Sequence, residues 1–356
     1  MRLARSSRVG AAVCALVLLT AACGDDGTAA QADDTGSSTT SAAPEERMSV
    51  KFMQLGESLT WTPFLVARGL GCYEDNGLDV EWVPGPPNAQ QATQALEQGE
   101  ADVLGVGTSG FLSAVAADRQ LVAFGAGAKG DTSLLVLSND VVERLADEGV
   151  TPDSSIEDRM EALRGLTIAA NTPGGPVFLA TEDALREFDL LGEVNLQALD
   201  GPLAMVGALK AGQIDGFVYS PPPVIQPVVE ESGQIWIDGP AGDIDVWKKG
   251  YYWLYVTKPD YAEQNPKVLK TILDCVTEAS QLLESDPDAA AAAAREFFPS
   301  LEDDVYRQSF DALIPVFVDG PAPSEKGFKE SVDRFTTSSG TAFDVPYAEA
   351  FVDLDS

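Results

Sequence analysis

Short apolar runs alternate with amphipathic stretches along most of this chain. The runs at 48–55 (MSVKFMQL), 78–83, 103–106 and 121–125 have the length and β-branched content of strands. Between them, 63–71, 88–98 and 111–117 carry apolar positions at helical spacing, with Pro63 suited to a first turn and Asn88 to a cap. The alternation resumes with 132–137, which begins the passage to a second unit. A helix at 154–163, a strand at 166–170, a helix at 176–188, a strand at 194–199, a helix at 202–210 and a strand at 215–219 follow. The run 253–257 (WLYVT) is the expected return crossing. From Pro266 onward the chain turns helical, at 266–283 after Asn265 and at 287–297 after Asp286, and these late helices are expected to pack mainly on the first unit. Strands alternating with helices of this length indicate parallel βαβ units.

One phrase occurs twice. Ala95-Leu96-Glu97-Gln98-Gly99-Glu100-Ala101-Asp102 leads into the apolar run at 103–106, and Ala208-Leu209-Lys210-Ala211-Gly212-Gln213-Ile214-Asp215 leads into the run at 216–219. A repeated A-L-x-x-G-x-x-D before a strand means two similar α/β units. Gly99 suits a left-handed helix end, and the recurrence of Asp102 with Asp215 favours a structural turn role for both. Each run stops in small polar residues, Gly107-Thr108-Ser109-Gly110 and Ser220-Pro221-Pro222, so two such loops can face each other across a cleft.

Composition narrows the chemistry. The chain of 356 residues is long enough for two full cores, carries a net charge of −33 at pH 7 and contains no histidine. So acidic a surface argues against nucleic acid and against a polybasic lipid-binding patch. The missing histidines exclude a Ser-His-Asp triad, histidine metal sites and a histidine general base. Acid pairs are everywhere in such a chain and none stands out as catalytic, so no catalytic residue, metal or cofactor is assigned.

The start of the chain bears on compartment. Arg2, Arg5 and Arg8 form a basic region, 11–19 an apolar stretch too short to span a bilayer, and Leu19-Thr20-Ala21-Ala22-Cys23-Gly24 resembles a bacterial lipobox. On this reading 1–22 are a lipoprotein signal peptide and Cys23 is lipidated. Residues 23–47, rich in Ser, Thr, Ala, Gly and Asp, form a flexible tether, holding the domain at the outer face of the cell membrane. Two other cysteines remain beyond Cys14: Cys72, and Cys275 on the apolar face of the predicted helix with Val268, Ile272, Val276 and Ala279. Outside the cytoplasm they can form a disulfide, or stay as two buried free thiols.

Three strand-to-helix junctions, 58–62, 107–110 and 171–175, are the candidate ligand loops. In open parallel sheets the crevice beyond the carboxyl ends of the strands is where ligands bind, and helix N-termini there offer unpaired N–H groups. The last junction lacks the G-K-[ST] ending of a phosphate-binding loop, and Gly105–Gly110 spells G-x-G-x-x-G with its first glycine inside a strand. Trp61, Tyr219, Tyr251, Tyr252 and Trp253 lie near the same places and could stack on a flat or apolar solute. No lysine or arginine falls in the loops, Lys129, Lys248 and Lys249 being nearest. This points toward a partly aromatic or weakly charged solute: a pyrimidine fits, an alkyl- or arylsulfonate nearly as well.

The stretch Leu65-Val66-Ala67-Arg68-Gly69-Leu70-Gly71-Cys72-Tyr73-Glu74-Asp75-Asn76-Gly77-Leu78-Asp79-Val80 resembles the A-x-x-x-G-Y-F-x-x-x-G-L-D-V signature of solute-binding proteins for nitrate, sulfonate, taurine and thiamine-pyrimidine importers. Cys72 departs from the usual aromatic. Residues 95–109 and 163–175 are similar to two further phrases of that family. The resemblance implies a periplasmic-binding-protein-like (type II) fold, two α/β lobes with a hinge and a ligand cleft between them. Lobe 1 is expected at 48–137 plus 254–356 and lobe 2 at 138–253. It also implies a monomer that delivers a small solute to an ABC permease and its ATPase. Carried over by position, the ligand contacts are Ser58, Thr60 and Trp61; Thr108 and Ser109; Thr172, Pro173, Gly174 and Gly175; and Tyr219 and Ser220, to which the aromatic cluster adds Tyr252. A sensory or partner-presenting protein of the same fold is the alternative, and a carboxylate-dependent enzyme a more distant one.

Overall fold

The computed structural model describes residues 47–352 and 354, apart from 55–57, 87, 174, 318, 319 and 341. The segment expected to be a signal peptide, Cys23, nearly all of the expected tether and Gly174 lie outside the described residues. The apolar runs condense into strands β1 (Met48–Gln54), β2 (Leu78–Pro84), β3 (Val103–Gly107), β4 (Val122–Lys129), β5 (Leu134–Ser138), β6 (Thr167–Ala170), β7 (Asn195–Ala198), β8 (Gly216–Tyr219), β9 (Gly233–Asp238) and β10 (Tyr251–Thr257). They form two five-stranded sheets, ordered β2-β1-β3-β10-β4 and β7-β6-β8-β5-β9. The two orders are the same pattern, with β10 in the first sheet standing where β5 stands in the second. Both strands run antiparallel to their central neighbours, β3 and β8.

The repeated phrase builds the same corner in each sheet. Helices Ala89–Glu97 and Pro202–Lys210 end at Gly99 and Gly212, whose φ of 80° and 64° only glycine adopts freely. The following N–H groups of Glu100 and Gln213 donate back to Ala95 O and Ala208 O at 3.0 and 2.9 Å, closing a Schellman turn. Each repeated aspartate then clamps the neighbouring parallel strand. Asp102 accepts the Lys51 N–H on its carboxylate at 2.9 Å and donates its own N–H to Lys51 O at 2.9 Å. Asp215 does the same to Thr167, at 2.7 and 2.8 Å. The structural role expected of both aspartates is what the geometry shows.

Packing follows the pleat. Phe52 and Met53 are successive residues of β1 that enter separate apolar clusters on opposite faces of the first sheet. Leu134 and Leu135 of β5 divide likewise on the second. Helices Pro266–Ser285 and Asp303–Leu313 place Ile272, Cys275, Val276 and Phe310 in the first sheet's larger core.

Several features differ from the sequence expectation, among them helices Asn139–Asp147 and Asp303–Leu313, which it did not include. β5 lies wholly in the second sheet and β10, from Tyr251, in the first. The chain therefore changes sheets between Lys129 and Leu134 and again between Asp238 and Tyr251, earlier than the boundaries at 137 and 253. Both strands are apolar throughout, so their composition carries no mark of which sheet they join. Strand β9 (GQIWID) went unread, as did the long helix Glu325–Ser339, which bears on the site below.

Cys72 and Cys275 are joined in a disulfide, with Cα atoms 5.8 Å apart across 203 positions, tying the turn after the first helix to helix Pro266–Ser285. Replacing both with alanine is expected to lower unfolding free energy by about 2–4 kcal/mol, read as a loss of several degrees in thermal midpoint. The same loss should appear in the parent protein under reductant and be absent from the double variant.

Candidate functional site

The strand ends of the two sheets meet at one cavity of about 650 Å³. Its first-lobe wall is built on an aromatic pair. Trp61 and Trp253 lie with ring centroids 4.2 Å apart, edge to face, and the Trp253 Nε1–H donates to Thr60 O at 2.9 Å, fixing the 58–61 turn to β10. Space for these rings comes from missing side chains. A Cβ on Gly105 would stand 2.6 Å from the Trp61 ring, and one on Gly127 would overlap Trp253. Gly110 is likewise closed off, a Cβ there falling 2.5 Å from the Ala89 methyl. Packing thus accounts for Gly105 and Gly110 of the G-x-G-x-x-G spelling.

Of the residues expected to touch ligand, Ser58, Thr60, Trp61, Ser109, Tyr219, Ser220 and Tyr252 line this cavity. Ser58 also caps its own turn, its hydroxyl accepting from Thr60 N at 3.3 Å and Thr60 Oγ1 at 3.0 Å. Thr108, Thr172, Pro173 and Gly175 are not among the lining residues. The Thr108 hydroxyl is fully buried and donates to Tyr251 O at 2.8 Å, holding the start of helix Thr108–Ala116 against β10. Thr172 and Pro173 are exposed on the loop. Their neighbour Asn171 lines the cavity instead and caps helix Pro176–Glu187, its Oδ1 accepting from Phe178 N at 2.9 Å.

At the crossing between the sheets, hydroxyls gather. Thr132 Oγ1 and Ser220 Oγ are 2.7 Å apart, and their hydroxyls act on the nearby Tyr252 phenol to offset part of the effect of its burial. Burial, reinforced by the negative charge of Asp131, raises the Tyr252 pKa, and burial does the same for Tyr219. Both phenols are therefore neutral hydrogen-bonding groups at physiological pH.

The charged part of the lining was not anticipated. Arg334 and Ser338 come from the unread helix Glu325–Ser339. Arg334 Nη2 reaches Asp131 Oδ2 at 2.7 Å and its Nε reaches Asp183 Oδ2 at 3.4 Å, all three side chains being under a tenth exposed. The Ser338 hydroxyl lies 2.7 Å from both oxygens of Asp183, and Ser133 N donates to Asp131 Oδ1 at 3.0 Å. Burial pulls the Arg334 pKa down, and the two carboxylates more than reverse this, so the guanidinium stays charged. A helix carried by the first lobe's cores thus grips the second-lobe helix through a buried ion cluster on the cavity wall.

The sequence profile of the NMT1-like family matches residues 41–296. The chain belongs to the NMT1-like family. Among solved structures, this NMT1-like chain is similar to the periplasmic aliphatic sulphonate binding protein SsuA of Escherichia coli, with a TM-score of 0.62, 18% identity, and coverage of 82% of this chain and 91% of that one. The alkanesulfonate-binding SsuA of Xanthomonas axonopodis pv. citri, solved with MOPS, gives 0.60, 17%, 87% and 99%. The periplasmic nitrate-binding protein NrtA of Synechocystis PCC 6803 gives 0.50, 17%, 80% and 75%. At these identities the likeness establishes the two-lobed periplasmic-binding-protein fold. No curated protein sequence matches the chain. Arg334 and Ser338 lie beyond the stretch matched by the family profile.

Two substitutions probe this construction. Gly105→Ala forces the Trp61 ring off its seat and is expected to cost about 1–3 kcal/mol, with a change in tryptophan emission that an exposed Gly→Ala control lacks. Arg334→Met leaves two buried carboxylates facing each other and is expected to cost about 3–5 kcal/mol in denaturant unfolding, partly restored by adding Asp183→Asn.

Proposed function

We propose that this NMT1-like chain is an extracytoplasmic solute-binding protein of an ABC importer. It takes a small organic solute, sulfonate-like or pyrimidine-like, between its lobes and hands it to the permease and its ATPase. The observation that carries this reading is the cavity itself. At about 650 Å³ it falls within the range of about 300–1,000 Å³ that small-molecule sites occupy. It is walled by both lobes of a fold whose crossings leave hinge points, and closure around a bound solute is a shift between open and closed populations. The permease would meet the composite surface that closure creates. We take the lobes to divide at the sheet crossings, and the protein to act as a monomer that binds rather than transforms its solute.

The anchoring belongs to the same proposal. Its support is the sequence of 1–23: a basic start, a short apolar stretch and a lipobox-like ending at Cys23. Lipidation there, followed by the polar tether, would hold the binding domain at the outer membrane face. Among the described residues no helix is long and apolar enough to cross a membrane.

A thermal-shift screen of the mature chain tests the reading. The panel holds taurine, alkyl- and arylsulfonates, nitrate, aminopyrimidines, amino acids and sugars. A true ligand present at 1,000 times its Kd should stabilise the fold by about 4 kcal/mol, and Trp61→Ala should remove that shift. A screen in which no compound moves the midpoint counts against solute binding.

A further inference from the structure

Helix Glu325–Ser339 touches both crossings and both lobes. It packs Phe328, Val332 and Phe335 into a core of the first sheet, so it moves with the first lobe. Ser324, Ser331, Arg334 and Ser338 recur at helical spacing and share one stripe. The stripe meets its partners in turn. Ser324 N donates to the Tyr251 hydroxyl at 2.8 Å, and Ser331 Oγ accepts from Tyr251 N at 2.8 Å, which holds the return crossing. Arg334 Nη2 holds the outgoing crossing through Asp131. The last turn reaches the second lobe, where Arg334 Nε and the Ser338 hydroxyl hold Asp183 of helix Pro176–Glu187.

The crossings meet each other at two glycines. Gly130 follows β4 directly and Gly250 directly precedes β10. Gly130 N donates to Gly250 O at 2.8 Å, and both adopt left-handed φ, 81° and 76°. Three residues before Gly250, Trp247 is already in a second-lobe core, its Nε1–H donating to Ala180 O at 2.8 Å. The glycine pair therefore stands where the first lobe ends, a place for backbone angles to change between lobes. Rotation there moves Asp131, one residue from the pivot, little, and carries Asp183 away from the stripe. Neither charge is stranded. Arg334 retains Asp131, and Asp183 retains Arg186, one turn along its own helix at 2.8 Å and partly in water. A cluster whose members keep a partner in both positions opens without the penalty of a buried unpaired charge. A second contact between the lobes, Ala312 against the cluster of Val224 and Ile225, is apolar and sets no direction.

We propose that Arg334 and Ser338 form a closure latch on Asp183, with Gly130 and Gly250 as its pivot, which sets the ratio of open to closed forms before any solute arrives. The latch rests on the reading of the molecule as two lobes that close, and is independent of what they close upon. Ser338 is then a positioning residue that acts through Asp183.

The test reads the distance between the lobes with no ligand present. Glu100→Cys and Gln213→Cys place spin labels on the two repeated corners, both exposed and one in each lobe. The background is the mature chain with Cys23→Ser, in which Cys72 and Cys275 are bonded to each other and take no label. Pulsed dipolar spectroscopy is expected to show one dominant distance, that of the closed form. Ser338→Ala should raise the ratio of open to closed forms about tenfold, the weight of one hydrogen bond to a carboxylate. Asp183→Asn should shift it the same way, and Ser338→Thr, which keeps the hydroxyl, should restore the parental distribution. Ser331→Ala loses a partner in the crossing rather than in the second lobe, and should lower the thermal midpoint without changing the ratio. Should Asp183→Asn fold poorly, Ser338→Ala, which removes no charge, decides alone. An unchanged distribution in Ser338→Ala overturns the latch, as does an equal shift in Ser331→Ala. Either result leaves solute binding to the panel above, since no ligand enters the measurement.

Discussion

The first sheet is completed only by a strand that returns after the whole second sheet has been laid down. β5 leaves the first sheet's last strand and enters the second beside β8, and β10 returns to the first beside β3. Because β10 sits inside the first sheet rather than at its edge, the first lobe has no full core until that strand has returned. The connecting segments must then pass between the lobes at the carboxyl ends of the parallel strands. Asp131, Thr132, Tyr251 and Tyr252 are at the cavity for this reason: they are the backbone of the crossings or its immediate neighbours. The crossings are themselves packed: Ile244 and Trp247 of the return segment belong to a core of the second lobe, and Asp131 of the outgoing one is buried against Arg334.

The aromatic wall and the ion cluster solve different problems at that cleft. Trp61 and Trp253 are packed over glycines, so their geometry is set by absence of volume on the strands beneath. Their positions are fixed by each other, by the Trp253 Nε1–H bond to Thr60 O and by the glycines below. The cluster of Arg334, Asp131 and Asp183 is charged, hydrogen-bonded and nearly dry. Such a cluster contributes little net stability but penalises misplacement of any one member. It ties the C-terminal helix to both the crossing and the second lobe, at separations of 203 and 151 positions.

Those separations explain what was legible in the sequence. The duplicated corner could be read because its causes are local: a glycine at a left-handed helix end, and an aspartate clamping one residue of the neighbouring strand. Trp61, Tyr219 and Ser220 could be placed at the cavity because they lie at or just beyond strand ends, where the two sheets meet. Asn171 was missed for Thr172 and Pro173 within one loop, since a cap and an exposed turn look alike in sequence. Thr108 was misjudged for a related reason: its hydroxyl serves the backbone of β10, a partner far along the chain. Nothing near Arg334 announces a buried ion pair; KESVDRFTTSS has the charge spacing of an ordinary solvated helix. Only the fold brings Asp131 and Asp183 to it.

The late return of β10 also orders the molecule's assembly. The second sheet is made from one continuous span, 134–238, so its strands can pair as soon as that span is available. The first sheet waits for β10, and its central β3 remains an unpaired edge until Tyr251–Thr257 has emerged. A chain that emerges amino end first therefore holds an apolar strand with one open edge from Gly107 until Thr257 has appeared, the kind of edge that invites wrong pairing. The acidic surface, with its mutual repulsion between copies, is a natural safeguard for that interval.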